Sequence, residues 1–251
     1  MPLQTLRQLA ARERTQRRNR QLGGLLAFVA GAVNAGGFLA VQRYTSHMTG
    51  VVSAIADDLV IGQGTLVVVG LGSLIAFLAG AAVTAILINW ARRQHLHGEY
   101  ALSLMLEAAL LLLFGLLGAN LDLLIEVTVP TTVLLLCFIM GLQNAITTKI
   151  SRAEIRTTHV TGVVTDLGIE LGRLLYWNRV QDLTMGDPVR ANHDRLQLLL
   201  TLLGLFFAGG LTGAWAFKHV GYSAVLPVAA VLALVALPPL WPDIRSRLLR
   251  I

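Results

Sequence analysis

The sequence predicts an all-α polytopic membrane protein, and three observations indicate this class. First, 55% of the 251 residues are hydrophobic and only 14% are charged, whereas soluble domains carry about 25% charged residues. Second, the apolar residues form runs long enough to cross a bilayer, which takes about 20 residues per helix. Third, a short polar motif occurs in both halves of the chain. We therefore predict six transmembrane helices, two short broken or re-entrant polar helices, and a two-fold internal repeat that is inverted.

Six apolar runs, each bounded by charged residues, Pro or Gly, predict full spans. They cover residues 22–41, 66–90, 101–119, 129–148, 196–217 and 223–241. Two further segments, 47–61 and 159–176, contain charged residues. Each such charge costs about 3 kcal/mol at the centre of a span. We therefore predict these two segments as re-entrant or broken helices within the bundle.

Basic residues predict the orientation, because loops rich in Lys and Arg stay in the cytoplasm. Six arginines lie within residues 1–20. Further basic loops or ends are marked by Arg92, Lys149, Arg195 and Arg245. Six crossings place all of these inside and the loop with Asp122 outside. If both short segments crossed fully, the Arg92 loop would move to the outer side.

These features divide the chain into four regions. They are a basic cytoplasmic tail at 1–21, membrane repeats at 22–128 and 129–242, and a basic cytoplasmic C-terminus at 243–251. The arginines of the tail are interpreted as a topology determinant rather than as a site for a specific nucleic acid. Because Leu3, Leu6 and Leu9 recur every third residue, we also predict a short interfacial helix on anionic lipid.

The repeat consists of two motif pairs in the same order. Residues 47–53 read His-Met-Thr-Gly-Val-Val-Ser, and residues 159–165 read His-Val-Thr-Gly-Val-Val-Thr. A Gly-x-x-Asn-Ala motif precedes each, at Asn34 and at Asn144. Similar runs of small residues follow, beginning at Phe77 and Phe207. Three crossings per half would invert the second half, as in many secondary transporters with broken helices at the midplane. A duplicated scaffold without transport is the alternative.

The two polar segments carry the candidate site. In each helix a histidine and a carboxylate three turns later share one face: His47 and Asp58 in the first, His159 and Glu170 in the second. The predicted helix N-termini at Thr49-Gly50 and Thr161-Gly162 favour an anionic solute through unpaired N–H groups and the helix dipole. Alternatively, the polar groups bond one another and lock the broken helices into the bundle. The candidate solute-binding residues are Asn34, Thr45, Ser46, His47, Thr49, Gly50, Asp58, Asn144, Thr157, Thr158, His159, Thr161, Gly162, Asp166 and Glu170.

Other residues have simpler interpretations. Glu107 lies within a predicted span and is interpreted as a snorkelling or paired acid rather than as a proton carrier. Gly209 and Gly213 form a helix-contact motif, either internal or at the face of a homodimer. Cys137, the only cysteine, is predicted to pack in the apolar interior. Hydrolase, zinc-protease, phosphate-loop and dinucleotide motifs are missing from the sequence, so we expect no cofactor and no metal.

At its motifs the chain resembles the YoaK-like family of bacterial inner-membrane proteins, a domain of unknown function. The matching stretches are 31–38 with 44–50, and 141–145 with 156–166. The resemblance covers nearly everything after the basic tail. It implies a compact bacterial protein of the inner membrane, and it implies no particular biochemical activity.

Three functions therefore stay open at this point. The leading hypothesis is a small-solute transporter or channel with its site between the two His-x-Thr-Gly segments. The second is a membrane-embedded enzyme acting on an amphiphile, with His159, Asp166 and Glu170 as metal ligands or acid–base groups. The third is a non-catalytic scaffold or regulator that docks a partner through the arginine tail.

Overall fold

The computed structural model describes residues 15–119, 125–151, 157–176 and 189–248, and these residues are almost entirely helical. A 3₁₀ turn, Gly221–Ala224, joins the last two of the eight α-helices described. In chain order these are α1 Gln16–Val41, α2 Met48–Ile61, α3 Gly64–Arg93, α4 Ala101–Gly118, α5 Ile125–Ile150, α6 Val160–Leu175, α7 His193–Val220 and α8 Val225–Leu248. The leucine pattern predicted for the N-terminal tail lies outside the described residues.

Five stretches of the described chain are long and apolar enough to cross a membrane. They are Gln16–Val41, Gly64–Arg93, Ala101–Gly118, Val129–Ile150 and His193–Asp243. The last is 51 residues long and contains α7, the 3₁₀ turn and most of α8. The predicted class, an all-α polytopic membrane protein, is confirmed.

The two polar segments form short helices. Helix α2 has 14 residues and α6 has 16, which gives lengths of about 21 and 24 Å. A bilayer core is about 30 Å thick, so both helices are shorter than its thickness. Helix α2 ends at Gly62, whose φ of 80° is left-handed, and the chain reverses there to start α3.

Two helix crossings bring backbone directly against backbone. On one side α1 crosses α7, where Gly31 faces the carbonyl of Phe206 and Gly209 faces the carbonyl of Phe28. A Cβ atom at either glycine would overlap that carbonyl oxygen. Small residues at such crossings allow close helix contact, which drives association within lipid.

The same crossing occurs between α5 and α3. Here Gly141 faces the carbonyl of Phe77 and Gly80 faces the carbonyl of Phe138. The first helix of each half therefore packs on the third helix of the other half. Phe77 and Phe206 make equivalent contacts, because the carbonyl of each faces the corresponding glycine, Gly141 or Gly31. The sequence comparison, which matched Phe77 with Phe207, was therefore wrong by one residue.

Contacts along the helices define their relative directions. Gly37 on α1 faces Leu136 on α5, and the Gln143 amide of α5 donates to the Leu26 carbonyl of α1 at 3.3 Å. Early residues of α1 thus meet late residues of α5, so these two corresponding helices run antiparallel. In contrast, α1 and α7 run parallel, since Gly24 faces Leu205 and Gly36 faces Phe217.

The last helices of the two halves, α4 and α8, also pack antiparallel. Gly98, just before α4, lies against Pro239 near the end of α8. At the opposite end, Gly115 of α4 lies against Val225 at the start of α8. Asp243 of α8 accepts hydrogen bonds from the backbone N–H groups of His97 and Gly98 at 3.1 and 3.2 Å, which fixes the register of the pair.

The structure decides three smaller predictions. Gly209 and Gly213 contact α1 and are therefore internal rather than at a dimer face. Cys137 is buried, as predicted. The prediction for Glu107 was wrong: its side chain is 0% exposed, and neither carboxylate oxygen has a hydrogen-bond partner among the described residues. Its position two turns into α4 faces the helix bundle, so it does not snorkel, and no residue in the described part of the chain pairs with it.

The crossing of α1 and α7 predicts a stability difference between two glycines of α7. We expect Gly209→Ala to destabilise the protein by about 1–3 kcal/mol, the usual cost of overpacking, because its new methyl overlaps Phe28 backbone. The control is Gly204→Ala on the same helix, where a Cβ meets nothing within 4 Å. The melting temperature of the detergent-solubilised protein measures both. Equal melting temperatures for the two variants would contradict the crossing.

Candidate functional site

Helices α2 and α6 begin in the same way. His47 precedes α2 with φ −91° and ψ 69°, and His159 precedes α6 with φ −84° and ψ 57°. Neither N-terminus is capped by a side-chain hydrogen bond in the described structure. The first N–H groups of a helix have no partner within the helix, so both N-termini present donors.

The histidine of each motif folds back over the glycine three residues later. The ring Nδ1 of His47 occupies the space where Gly50 would carry a Cβ, and His159 does the same over Gly162. A larger residue at either glycine would displace the ring. The His-x-x-Gly spacing therefore has a local packing reason in both copies.

A hydrogen bond between side chains holds each segment against the preceding long helix. The Ser46 hydroxyl donates to Asn34 Oδ1 of α1 at 2.8 Å, and the Thr158 hydroxyl donates to Asn144 Oδ1 of α5 at 2.6 Å. Asn34 lies two turns before α1 ends at Val41. The chain therefore turns back beside α1 before it starts α2.

The starts of α2 and α6 open into one shared cavity of about 550 Å³. Among the described residues that line it there is no Asp, Glu, Lys or Arg. Its polar lining comes from Asn34, Tyr44, Ser46, His47, Thr49, Asn144, Thr148, Thr158, His159 and Thr161. We call this space the central cavity. It collects eight of the predicted site residues, four from each half.

Two flanking cavities share residues with the central cavity. One, of about 260 Å³, lies beside α2 and α3 and shares His47 and Tyr44 with it. The other, of about 720 Å³, lies beside α6 and α7 and shares His159 and Thr161. We call them the α2 cavity and the α6 cavity. The histidines thus stand where the central cavity meets its neighbours.

The remaining predicted residues lie along the flanking cavities or behind them. Thr45, Gly50 and Asp58 line the α2 cavity, and Gly162 and Asp166 line the α6 cavity. Thr45 is 1% and Thr157 is 4% exposed, and neither hydroxyl has a hydrogen-bond partner among the described residues.

The acidic residues of α6 bind groups of α6 and α7 rather than the histidine. Asp166 pairs with Arg195 of α7 at 3.0 Å. Glu170 is 1% exposed and accepts from Arg173 at 3.0 Å and from the backbone N–H of Asn192 at 2.8 Å. These bonds join α6 to the start of α7. The described residues contain no group of three or more His, Cys, Asp or Glu side chains placed to hold a metal ion.

Sequence reasoning missed several residues at the site. Phe77 and Phe206 line the central cavity, and each also contributes the carbonyl at a glycine crossing. Their signal was the Phe-x-x-Gly spacing that recurs at Gly80 and Gly209. Arg195 was recognised only as a topology signal, because nothing in the sequence indicates that α7 places it beside Asp166.

Comparisons with known proteins agree with this membrane architecture. A family model described as "Protein of unknown function (DUF1275)" matches residues 22–237. The chain belongs to this family. It is also 27% identical over 168 residues to the UPF0700 transmembrane protein YoaK of Bacillus subtilis (strain 168), across 66% of this chain and 72% of that protein. The resemblance inferred from the motifs is thus confirmed, and no solved structure matches the chain.

The bond between Ser46 and Asn34 leads to a prediction about stability. We expect Ser46→Ala to destabilise the protein by roughly 0.5–1.5 kcal/mol, as interhelical hydrogen bonds in membranes do, because Asn34 Oδ1 loses its donor. Ser53→Ala, at an exposed position on α2, is the matched control. Unfolding in mixed micelles measures both, and the Asn34→Ala/Ser46→Ala cycle isolates the pair. If the double-mutant cycle gives no coupling energy between Asn34 and Ser46, this hydrogen bond does not hold the loop before α2 against α1.

Proposed function

We propose that this DUF1275 protein is a small-solute transporter or channel whose pathway passes between the two His-x-Thr-Gly segments. The observation that carries the proposal is that the N-termini of two short helices, one from each half, share the central cavity. Broken helices that meet within a membrane bundle are the usual construction of solute sites in secondary transporters.

We further propose six crossings, formed by α1, α3, α4, α5, α7 and α8, with α2 and α6 as half-helices. The lengths of α2 and α6 support this, since both are shorter than the bilayer core. The antiparallel directions of α1 against α5 and of α4 against α8 support an inverted repeat. The positive-inside rule then places both termini in the cytoplasm of a bacterial inner membrane.

The proposed topology gives the flanking cavities opposite outlets. Helix α2 packs antiparallel on α3, with Ile55 against Gly70, and it leads from the central cavity to the turn at Gly62. Helix α6 leads from the same cavity toward Arg195. If Arg195 faces the cytoplasm, the α6 cavity opens inward and the α2 cavity opens outward. The histidines then stand on either side of a solute bound in the centre.

The enzyme alternative has less support. It would need His159, Asp166 and Glu170 to converge on a metal ion or a substrate. Asp166 and Glu170 bind Arg195 and Arg173 instead, and these ion pairs account for both carboxylates. We therefore do not propose an enzymatic function.

The six-crossing topology can be tested at two exposed glutamines that bracket α3. In a Cys137→Ala background, we expect Gln63→Cys to react with a membrane-impermeant maleimide in intact cells. Gln94→Cys should react only after the membrane is permeabilised, because α3 places it on the cytoplasmic side. The reverse pattern would mean that α2 crosses the membrane fully, and it would overturn the half-helix assignment.

Transport itself is tested by solute flux into proteoliposomes, over a panel of small anions, cations and neutral solutes. We expect flux of at least one solute, and we expect His47→Ala/His159→Ala to change its rate at least about tenfold. Such a factor corresponds to about 1.4 kcal/mol, a modest amount for two groups at the ends of the central cavity.

The control for this experiment is His193→Ala/His219→Ala, which removes two exposed histidines outside the cavities. This variant should transport like the wild type. Folded protein without flux of any solute on the panel would refute the proposed function.

A further inference from the structure

We infer that the solute held in the central cavity is a small monovalent anion, either inorganic or a short carboxylate. This inference rests on the proposed function of the same site. Its starting point is the pair of helix N-termini at Met48 and Val160, neither of which is capped by a side chain. Each helix N-terminus carries about half a positive charge, so two of them together balance one negative charge.

The cavity also contains donors that can bind an anion. The two asparagine side-chain oxygens already accept from Ser46 and Thr158, so the best acceptors in the wall are used. The donors that remain are the first N–H groups of α2 and α6 together with hydroxyls and imidazoles of the lining, such as Tyr44, His47 and His159. Because hydroxyls and neutral imidazoles also accept, it is the positive ends of the two helix dipoles that favour an anion over a neutral solute such as urea.

Two buried hydroxyls supply a second and independent observation. Thr45 directly precedes Ser46, and Thr157 directly precedes Thr158, so each lies three residues before the first residue of a helix. Both hydroxyls are buried without a hydrogen-bond partner among the described residues. Burying an unpaired hydroxyl is unfavourable. Thr45 lines the α2 cavity, which meets the central cavity at His47, and its hydroxyl can donate there to an anion at the start of α2. Thr157 is not among the described lining residues of the three cavities.

Charge in the cavity walls argues against a cation. The described lining of the central cavity contains no carboxylate. Asp166 in the α6 cavity is neutralised by Arg195, and Asp58 lies in the α2 cavity three turns along α2 from the N-terminus. A cation in the centre would therefore face two positive helix ends with no carboxylate beside it.

The test removes the donor N–H groups and keeps the helices. Proline is tolerated at the first helical position, where its missing N–H has no partner within the helix. Met48→Pro/Val160→Pro therefore deletes one donor from each N-terminus, and Met48→Ala/Val160→Ala is the matched control. Anion binding is measured on purified protein as the rise in melting temperature with sodium chloride, nitrate or formate, against sodium gluconate at equal ionic strength.

We expect at least one of the three anions to stabilise the wild type and the alanine control. We expect the proline variant to bind that anion at least about tenfold more weakly, as the loss of a hydrogen bond to a charged group implies. Chloride and nitrate test for an inorganic anion, and formate tests for a short carboxylate. Melting temperature and gel filtration without added anion show whether the proline variant is folded.

Binding and flux together separate the two proposals. Flux of urea, sodium or potassium without binding or flux of any anion would overturn the anion inference and leave transport intact. Anion binding that the proline pair weakens, without flux of any solute, would support the anion site and refute transport. Anion binding that is equal in the folded proline and alanine variants would overturn the inference directly.

Discussion

The close approach of four glycines to four carbonyl groups determines how this bundle is assembled. Gly31 and Gly209 allow α1 to cross α7, and Gly141 and Gly80 allow α5 to cross α3. In lipid the hydrophobic effect does not drive helices together, so contact at small residues has to do so. Each crossing joins one half of the chain to the other.

The crossings also place the polar site. Asn34 is one turn beyond Gly31, Asn144 is one turn beyond Gly141, and Phe77 and Phe206 line the cavity between them. Non-helical backbone is tolerated at membrane depth only where it is buried in protein or lines a cavity. The asparagine bonds satisfy one hydroxyl of each loop, and the first N–H groups of both short helices have no partner within their own helix. The packing that holds the halves together thus also sets the distance between the two short helices α2 and α6.

Much of this arrangement follows from sequence, and the remainder depends on contacts between distant segments. Apolar runs predict the long helices because each must match the bilayer, and the repeated His-x-Thr-Gly motif predicts the two short ones. Spacing along α6 placed Asp166 and Glu170 on one face with His159, but it could not show that α7 supplies partners for both acids. Likewise, the position of Glu107 in its predicted span could not show that its side chain faces the bundle. Nor could it show that the carboxylate has no hydrogen-bond partner among the described residues.

The central claim is that the starts of α2 and α6 meet in one cavity, and cross-linking tests it most directly. Thr49→Cys and Thr161→Cys would be combined in a Cys137→Ala background, with a protease site inserted between α4 and α5. After treatment with a flexible bifunctional thiol reagent and cleavage, the account predicts that the two halves stay covalently joined. The control pair, Gln63→Cys just before α3 with Asn192→Cys just before α7, should come apart. Separation of the halves in the Thr49/Thr161 variant would contradict the account.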